Sequence, residues 1–327
     1  MNLLFITDPL DSFNLDKDSS LAMMREAVRR GHVVWACGTP DLHWQSGHMV
    51  SASIQRLRLK DNTTDWYVVE DTAHQALCQM DAVLMRKDPP FDNEYFYATH
   101  LLTQAEREGA RVFNHPSALR EHPEKLALME FAQWTTPTLV TRSSEAIRAF
   151  HATHQDIILK PLDGMGGMGI FRVRADGLNL GSIIETLNQE GATSVMVQKF
   201  VPAIAQGDKR VLVIGGKPVP YALARIPQGN EVRGNLAAGG KGVAQELSPR
   251  DSEIAQALGP VLAARGLLLV GLDIIGDCLT EVNVTSPTCF REITDQTGFD
   301  VAAMFMNALE HALAQAASSP SAVWPVQ

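Results

Sequence analysis

The chain has 327 residues, of which 45% are apolar, and this length predicts two domains or one domain with a large insertion. Its 28 lysines and arginines against 37 aspartates and glutamates give a formal charge of −9, which argues against a nonspecific binder of nucleic acids or membrane surfaces. The four cysteines show no CxxC spacing, so neither a zinc site nor a disulfide scaffold is indicated, and a reducing cytoplasm is the expected location. We expect no signal peptide, because the N-terminus lacks a basic region and reaches Asp8 too soon, and no membrane span, because no apolar run approaches the required ~20 residues.

Strands alternate with helices over the first 113 residues. Short apolar runs predict buried strands at residues 3–7, 32–37, 82–85 and 111–113. Amphipathic segments predict helices at residues 21–28 and 93–108, each ending at a glycine. Such an alternation predicts an α/β domain with a parallel sheet. Residues 38–79 give no readable pattern.

The pattern changes near residue 120. A helix is predicted at residues 124–131, and from residue 157 onward the chain is rich in strands and hairpins, which favours an α+β second half. The predicted strands are residues 157–160, 170–174, 195–200, 210–214, 218–224, 268–274 and 279–284. Residues 226–242 hold five glycines and few apolar side chains, so a mobile loop is predicted there. The tail from residue 316 is predicted to be disordered.

A glycine-rich segment follows the strand predicted at residues 157–160. Its glycines are Gly164, Gly166, Gly167 and Gly169. They satisfy G-x-G-x-x-G, but the next residues alternate as in a strand, whereas a dinucleotide-binding loop requires a helix there. A glycine hairpin with Lys160 on its entering strand suits a triphosphate, because backbone N–H groups can approach the phosphates closely. The alternative is a plain hairpin turn.

Two carboxylates are predicted to face each other on a later hairpin. If the chain turns at Asp277, then Asp273 lies opposite Glu281, and Asn283 shares the face of Glu281. Like charges that oppose each other on a sheet require a cation or an Arg/Lys side chain between them. These oxygen ligands favour Mg²⁺ completed by water and phosphate. The alternative is a polar strand face paired with arginine or lysine.

Several cations lie near these motifs in the sequence. Taken one at a time, each is readily explained as a surface charge, but together they resemble a site for anions. They are Arg86, Lys125, Lys209, Arg210, Arg225, Arg233 and Arg291. The loop containing Arg86 follows a predicted parallel strand, where open α/β sheets bind ligands. No pattern of a nucleophilic triad is found.

The motifs resemble the bacterial-type glutathione synthetase family of the ATP-grasp superfamily. The most diagnostic blocks are Gly-Asn-Leu-Ala-Ala-Gly-Gly at residues 234–240 and Glu-Val-Asn-Val-Thr-Ser-Pro-Thr at residues 281–288. The likeness extends from about residue 3 to about residue 315 and includes Lys-Asp-Ser-Ser at residues 17–20. Residues 38–79 are only loosely similar.

The resemblance implies a fold of mixed α/β and α+β class. A parallel-sheet α/β substrate domain at residues 1–120 is expected to precede an ATP-grasp domain at residues 121–315. The ATP-grasp domain would consist of two α+β subdomains, and the lid subdomain with its glycine-rich hairpin would cover about residues 130–197. A homotetramer is also implied.

The resemblance further implies the ATP-dependent joining of γ-glutamylcysteine and glycine through an acyl phosphate. Mg²⁺, with Mn²⁺ as an alternative ion, would be held by Asp273, Glu281 and Asn283. The implied catalytic residues are Arg210, Arg225 and Arg233. The implied nucleotide contacts are Lys125, Lys160, Gly164, Gly166, Gly167, Gly169, Gln198, Lys199, Phe200, Val201 and Asp208. The implied substrate contacts are Arg86, Asn235, Ser286 and Arg291.

Two other functions are compatible with the same phosphate and metal residues. One is another ATP-grasp carboxylate–amine ligase, of the D-alanine or peptide-tailing type, since these residues act on ATP and do not select the amine. The other is a nucleotide-binding regulator that has lost catalysis. The presence of both lysines and of the metal carboxylates counts against the regulator.

Overall fold

The computed structural model describes residues 1–61, 65–229 and 231–318. The N-terminal part contains seven strands within these ranges, namely β1 (Asn2–Ile6), β2 (Val33–Cys37), β3 (Leu42–His43), β4 (Ser51–Leu59), β5 (Tyr67–Ala76), β6 (Ala82–Met85) and β7 (Val112–Phe113). Its helices are α1 (Ser19–Arg29), α2 (Asn93–Arg107) and α3 (Pro116–Glu121). The side chains of Asp18 and Asp92 cap the first two helices by accepting backbone N–H groups.

The N-terminal sheet is mixed. Strands β2, β1, β6 and β7 pair in parallel, as the alternating pattern predicts. Strands β3, β4 and β5 fall in the unreadable stretch and add an antiparallel edge, with β4 paired to β2. Strand β5 is mostly exposed or half-buried along its length, so it carries no clear apolar alternation that could predict it.

A four-stranded antiparallel sheet follows, with its own small core. Its strands are β8 (Thr138–Thr141), β9 (Ile157–Pro161), β10 (Phe171–Val173) and β11 (Val195–Lys199), in the order β10-β9-β11-β8. Helices α4 (Ser144–His154) and α5 (Leu180–Asn188) cover it. The core includes Ile147, Leu159, Ile184 and Val197.

A five-stranded antiparallel sheet completes the molecule. Its strands are β12 (Asp208–Ile214), β13 (Lys217–Ile226), β14 (Lys241–Glu246), β15 (Leu269–Ile275) and β16 (Cys278–Asn283), in the order β14-β13-β12-β15-β16. The accompanying helices are α6 (Pro249–Ala264), α7 (Phe290–Thr297) and α8 (Val301–Ser318).

The N-terminal sheet and the five-stranded sheet share their hydrophobic cores. One cluster joins Leu3 and Phe5 of β1 to Leu212 of β12 and Phe305 of α8. Helix α8 packs on α1, and Arg30 donates hydrogen bonds to Asn307 at 2.8 Å and to Glu310 at 2.9 Å. The change of pattern near residue 120 therefore does not separate two cores.

Three predicted segments differ from the structure. Residues 124–131 are not one α-helix, because Leu126–Trp134 forms 3-10 turns that are interrupted at Phe131. The predicted loop is shorter than residues 226–242, since β13 and β14 occupy its ends and Leu236–Ala238 forms a 3-10 turn. Helix α8 continues to Ser318, so the prediction of a disordered tail is wrong for residues 316–318, and the rest of that tail lies outside the described residues.

Candidate active site

A cleft lies where the three sheets meet. It consists of two adjoining cavities of about 380 and 90 Å³ that share Lys160, Asn235 and Glu281 on their walls. The larger cavity reaches from the glycine segment to the N-terminal loops after β1 and β6. The smaller cavity extends beneath the end of β11. Both predicted phosphate lysines thus lie in one cleft with the predicted carboxylate hairpin.

The two lysines converge on Glu281. Lys160 points from β9 and is 6% exposed, and its Nζ donates to the carbonyl of Thr280 at 3.2 Å. Burial lowers the pKa of Lys160, whereas the neighbouring Glu281 opposes this shift. Lys125 Nζ lies 3.0 Å from Glu281 Oε1 and donates to the carbonyl of Gly164 at 2.5 Å. A positive charge is therefore held directly beside the glycine loop.

The glycine loop, residues 164–169, connects β9 to β10 and requires glycine at several positions. Gly166, Gly167 and Gly169 have φ values of +62°, +83° and +70°. A Cβ atom on Gly167 would lie 2.7 Å from Asn235 Oδ1. Arg233 Nη1 donates to the carbonyl of Gly167 at 3.3 Å and also pairs with Glu231. The glycine loop therefore touches the loop between β13 and β14.

The carboxylate hairpin has the predicted pairing. Asp273 of β15 lies opposite Glu281 of β16, and Asn283 lies opposite Gly271. The turn differs from the expected one, because Ile275 pairs with Cys278 across a two-residue turn and the register shifts by one residue before Asp273 is reached. The irregularity lies at Thr280, whose hydroxyl donates to the carbonyl of Asp273 at 3.1 Å.

Arginines neutralise Asp273 in this structure. Arg210 donates to both of its oxygens, at 2.5 and 3.1 Å, and Arg225 Nη2 lies 2.8 Å from Asp273 Oδ2. Burial opposes the charge of Asp273, yet Arg210 and Arg225 together hold its pKa well below the usual range. Arg225 also donates to Asp208 Oδ2 at 2.5 Å. Burial raises the pKa of Asp208 to about 6, and Arg225 opposes that shift.

Two of the three predicted metal residues, Glu281 and Asn283, offer free oxygens to a hard divalent cation, whereas both oxygens of Asp273 accept arginine N–H groups. Glu281 and Asn283 line the cleft, and because Asn283 Nδ2 donates to Gly271, its Oδ1 is the atom left for a ligand. Asp208 Oδ1 is buried and has no hydrogen-bond donor among the described residues. Among the residues that the structure describes, no group of three or more His, Cys, Asp or Glu side chains is arranged to hold a metal ion by itself. Further ligands would therefore come from water and nucleotide phosphate, as is usual for Mg²⁺.

The smaller cavity is lined by residues that are predicted to contact the nucleotide. It is lined by the predicted segment Gln198, Lys199, Phe200 and Val201 together with Asp208, and Arg233 borders it. Arg172 lies 3.5 Å above the ring of Phe200, and Gln198 donates to Thr138 at 3.1 Å. These contacts fix the side chains at the end of β11.

The predicted substrate residues do not all meet in the cleft. Ser286 and Asn235 line it, and Ser286 Oγ donates to Asp88 at 2.5 Å. Arg86 is buried outside the lining, where it donates to Ser20 Oγ at 3.1 Å and to the carbonyl of Pro287 at 3.0 Å. Arg291 also lies outside the lining, and it donates to the carbonyl of Leu15 at 3.4 Å. Both arginines therefore hold the walls of the cleft in place.

Comparisons with known proteins give the family. A family model described as the prokaryotic glutathione synthetase N-terminal domain matches residues 1–120, and one described as the ATP-grasp domain of the same enzyme matches residues 124–298. The chain belongs to the prokaryotic glutathione synthetase family. Membership of an ATP-grasp family implies ATP and a divalent metal ion as the groups that the cleft takes.

Curated relatives agree over nearly the whole chain. Glutathione synthetase of Ralstonia nicotianae is 60% identical over 316 residues, which cover 97% of each chain. Glutathione synthetase of Nitrosomonas europaea is 55% identical over 318 residues, which cover 96% of this chain and 99% of the relative. That of Shewanella oneidensis is 50% identical and covers 96% of this chain and 100% of the relative.

Solved structures share the fold at low identity. D-cycloserine synthetase DcsG has a TM-score of 0.65 and 16% identity, covering 96% of this chain and 100% of that chain. The ATP-grasp ligase PsnB, complexed with minimal precursor, Mg and ADP, has a TM-score of 0.61 and 20% identity, covering 95% and 97%. Among the described residues, no helix is both long enough and apolar enough to cross a bilayer.

Sequence reasoning missed Glu124, which holds a wall of the glutathione synthetase cleft. Its Oε1 accepts hydrogen bonds from the backbone of Val284 at 3.1 Å and from the hydroxyl of Thr285 at 2.9 Å. Burial raises the pKa of Glu124, and the nearby Glu281 adds to this effect. In the sequence, its functional role was marked only by its position next to Lys125. The residues that donate to it, Val284 and Thr285, lie about 160 positions away, so no local pattern reports these contacts.

Proposed function

We propose that the chain joins γ-glutamylcysteine and glycine at the expense of ATP, giving glutathione, ADP and phosphate. The observation that carries the proposal is the convergence of four cations on one cleft beside a glycine loop, namely Lys125, Lys160, Arg210 and Arg225. Relatives at 50–60% identity that carry the name glutathione synthetase support this choice of substrates.

The first step activates a carboxylate, which is a poor electrophile. An oxygen of the cysteinyl carboxylate attacks the γ-phosphorus of ATP, the bond to the bridging oxygen breaks, and an acyl phosphate and ADP are formed. Two anions must approach each other in this step. Arg210 and Arg225 are buried and fixed by Asp273 and Asp208, so they lower the repulsion without having to reorganise.

The second step is attack by the glycine amine on the acyl carbon, after which phosphate leaves and the amine proton is released. No nucleophile from the protein is needed, because catalysis consists of positioning and of stabilising charge. Water would destroy the acyl phosphate, so the cleft has to be covered during turnover. The glycine loop and Arg233 with Asn235 provide this cover.

Asp273, Glu281 and Asn283 would hold Mg²⁺, with Mn²⁺ as an alternative. When bound, the ion would neutralise phosphate charge. The chain's own contribution is to present these oxygens from two paired strands. Gln198, Lys199, Phe200 and Val201 would bind the adenine and Asp208 the ribose side, while Arg86, Asn235, Ser286 and Arg291 would shape the substrate end.

We also propose a division at residue 120 between a substrate domain and an ATP-grasp domain that reaches residue 315, with a lid subdomain at about residues 130–197. The four-stranded sheet with its separate core supports the lid. A homotetramer and a cytoplasmic location stay predictions, and sedimentation of the purified chain would measure the first.

The test is turnover by the purified chain with ATP, Mg²⁺, γ-glutamylcysteine and glycine. We expect release of ADP together with glutathione, measured by a coupled ADP assay and by mass spectrometry. Turnover with D-alanine in place of these substrates would favour the D-alanine type of ligase. Nucleotide binding without turnover on any amine would favour the regulator.

A further inference from the structure

The hairpin of β15 and β16 contains one extra residue in β16. Leu279 pairs with Ile274, but Glu281 pairs with Asp273, so the pairing skips Thr280. Such an insertion is a β-bulge, and bulges beside active sites re-aim the side chains that follow them. Thr280 is 8% exposed and borders the smaller cavity. The bulge therefore lies inside the site, directly before the first predicted metal residue of β16.

The bulge decides which face of the sheet carries Glu281 and Asn283. In a regular strand the side chains alternate between faces, so residues three positions apart point to opposite sides. Leu279 and Val282 nevertheless both lie in the hydrophobic core and are 0% exposed. Without the extra residue, the pairing would place Glu281 opposite Leu272, which belongs to the same core, and would turn the carboxylate away from the cleft.

Two hydrogen bonds hold the bulge in place, and both involve Thr280. Its hydroxyl donates to the backbone carbonyl of Asp273 at 3.1 Å. Its own backbone carbonyl accepts the Nζ of Lys160 at 3.2 Å. A bulged residue lies outside the regular ladder, so these contacts satisfy groups that the strand pairing leaves free. Thr280 therefore connects the predicted phosphate lysine of β9 to the two predicted metal carboxylates.

We infer that Thr280 is a positioning residue that fixes Lys160 and Glu281 relative to each other. This role rests on the proposed use of ATP and Mg²⁺ by those two side chains. Lys160 is 6% exposed, and a buried ammonium group needs an acceptor, which the bulge supplies. Because one residue holds both the lysine and the register of the carboxylates, the phosphate side and the metal side of the site keep a constant spacing. Loss of the hydroxyl should loosen both sides together.

The test compares three side chains at one position. Thr280→Val keeps the branched shape and removes the hydroxyl donor, whereas Thr280→Ser keeps the donor. For Thr280→Val we expect the Mg²⁺ concentration at half-maximal rate to rise about 10-fold, the range for losing a residue that orients metal ligands. The KM for ATP should rise about threefold. The KM for γ-glutamylcysteine should change by less than about twofold, and Thr280→Ser should restore all three values to within about threefold of the wild type.

A binding measurement tests the same role without turnover. Calorimetric titration with the non-hydrolysable analogue AMPPNP gives the affinity with Mg²⁺ present and with Mg²⁺ removed by EDTA. Thr280→Val should bind the analogue about 10-fold more weakly with Mg²⁺, because both the lysine and the carboxylates are displaced. Without Mg²⁺ the loss should be only about threefold, since the contact of Lys160 alone is then weakened.

Thr186→Val is the matched control for the chemical change. The Thr186 hydroxyl donates to the carbonyl of Ser182 at 2.8 Å on α5, where the residue is exposed and lies outside the cleft lining. This variant should stay within about twofold of the wild type in every measurement. If Thr280→Val does not fold, as judged by circular dichroism, Thr280→Ala replaces it, because alanine removes the donor without placing a methyl group against the Asp273 carbonyl.

The outcomes separate the two proposals. If the wild-type chain forms no glutathione, the proposed function fails, while the AMPPNP titrations still decide the role of Thr280. Wild-type dependence on Mg²⁺ in the variant without a hydroxyl would overturn the positioning role. Equal loss of AMPPNP affinity with and without Mg²⁺, or failure of Thr280→Ser to restore it, would likewise reduce Thr280 to a packing residue of the hairpin.

Discussion

The five-stranded sheet and the glycine loop both line the cleft, but different kinds of contact hold their residues in place. On the sheet, Arg210, Arg225, Asp208 and Asp273 are at most 8% exposed and are joined by ion pairs of 2.5–2.8 Å. In the glycine loop, Met165 and Met168 are 37% and 62% exposed. The loop is tied to the rest of the site mainly through backbone carbonyls.

The difference separates two tasks of the site. Charges that stabilise a phosphoryl transfer must be in place before the reaction, since turning them during it would cost free energy. A cover must instead open for substrates and close for chemistry, so its contacts have to be few. Substitutions that break the buried arginine–aspartate cluster on the sheet should therefore lower stability and turnover together, whereas substitutions in the glycine loop should lower turnover more than stability.

The largest effect is expected for Asp273→Asn. Arg210 and Arg225 would lose their shared partner while they stay buried, so the free energy of unfolding should fall by about 3–5 kcal/mol. Turnover should fall at least about 100-fold. Denaturant titration and steady-state kinetics measure the two effects. Asp277→Asn, at the exposed turn of the same hairpin, serves as the control, and an equal effect there would contradict a special role for Asp273.

Glu281→Gln should separate turnover from stability. Glu281 keeps 19% of its side chain exposed and faces the cleft, so water can partly replace it as the partner of Lys125, and the free energy of unfolding should fall by about 1–2 kcal/mol, less than for Asp273→Asn. Turnover should fall about 100-fold, because a phosphate-side carboxylate is lost. Near wild-type rates with saturating Mg²⁺ would show that Glu281 holds neither the metal nor Lys125 in a catalytic position.

Gly167→Ala should strain the glycine loop and disturb its contact with Asn235. Its φ of +83° costs an alanine about 1–2 kcal/mol, and its Cβ would meet Asn235 Oδ1. We expect kcat/KM for ATP to fall about 10-fold. Gly191→Ala is the matched control, because φ is +89° there but no atom lies within 4 Å of the added Cβ. If both variants lose the same activity, strain and not loop contact is responsible.

The smallest effect concerns pH. The pKa of Asp208 is about 6 in the folded chain against 3.8 for an ordinary aspartate, so the folded state holds this proton more tightly than the unfolded state. Its contribution to stability is present at low pH and is lost as the pH rises through about 6. Between about pH 4 and pH 6, the wild-type chain should therefore lose stability relative to Asp208→Asn. Parallel curves in denaturant titrations would contradict this assignment.

The parts of the site that were predictable from sequence depend on local geometry. Asp273 and Glu281 lie opposite each other because they belong to one hairpin, β15–β16. Lys160 lies beside the glycine loop because the loop connects β9, which carries the lysine, to β10. Glu124 and Arg86 were different, because their partners lie about 160 and 200 residues away and no local pattern reports such contacts. Strand β5 was not predicted because all its residues are exposed or half-buried, so its sequence does not alternate between apolar and polar residues.

The core shared by β1, β12 and α8 has a consequence for how the molecule opens. In hydrogen exchange, the backbone amides of β1 and β12 should become accessible in a single event, since breaking either strand exposes the same apolar cluster. Strands β9 and β11 have their own core and should exchange in a separate event at lower free energy. The chain should therefore open in two separate events, one for the four-stranded sheet and one for the core that the N-terminal and five-stranded sheets share.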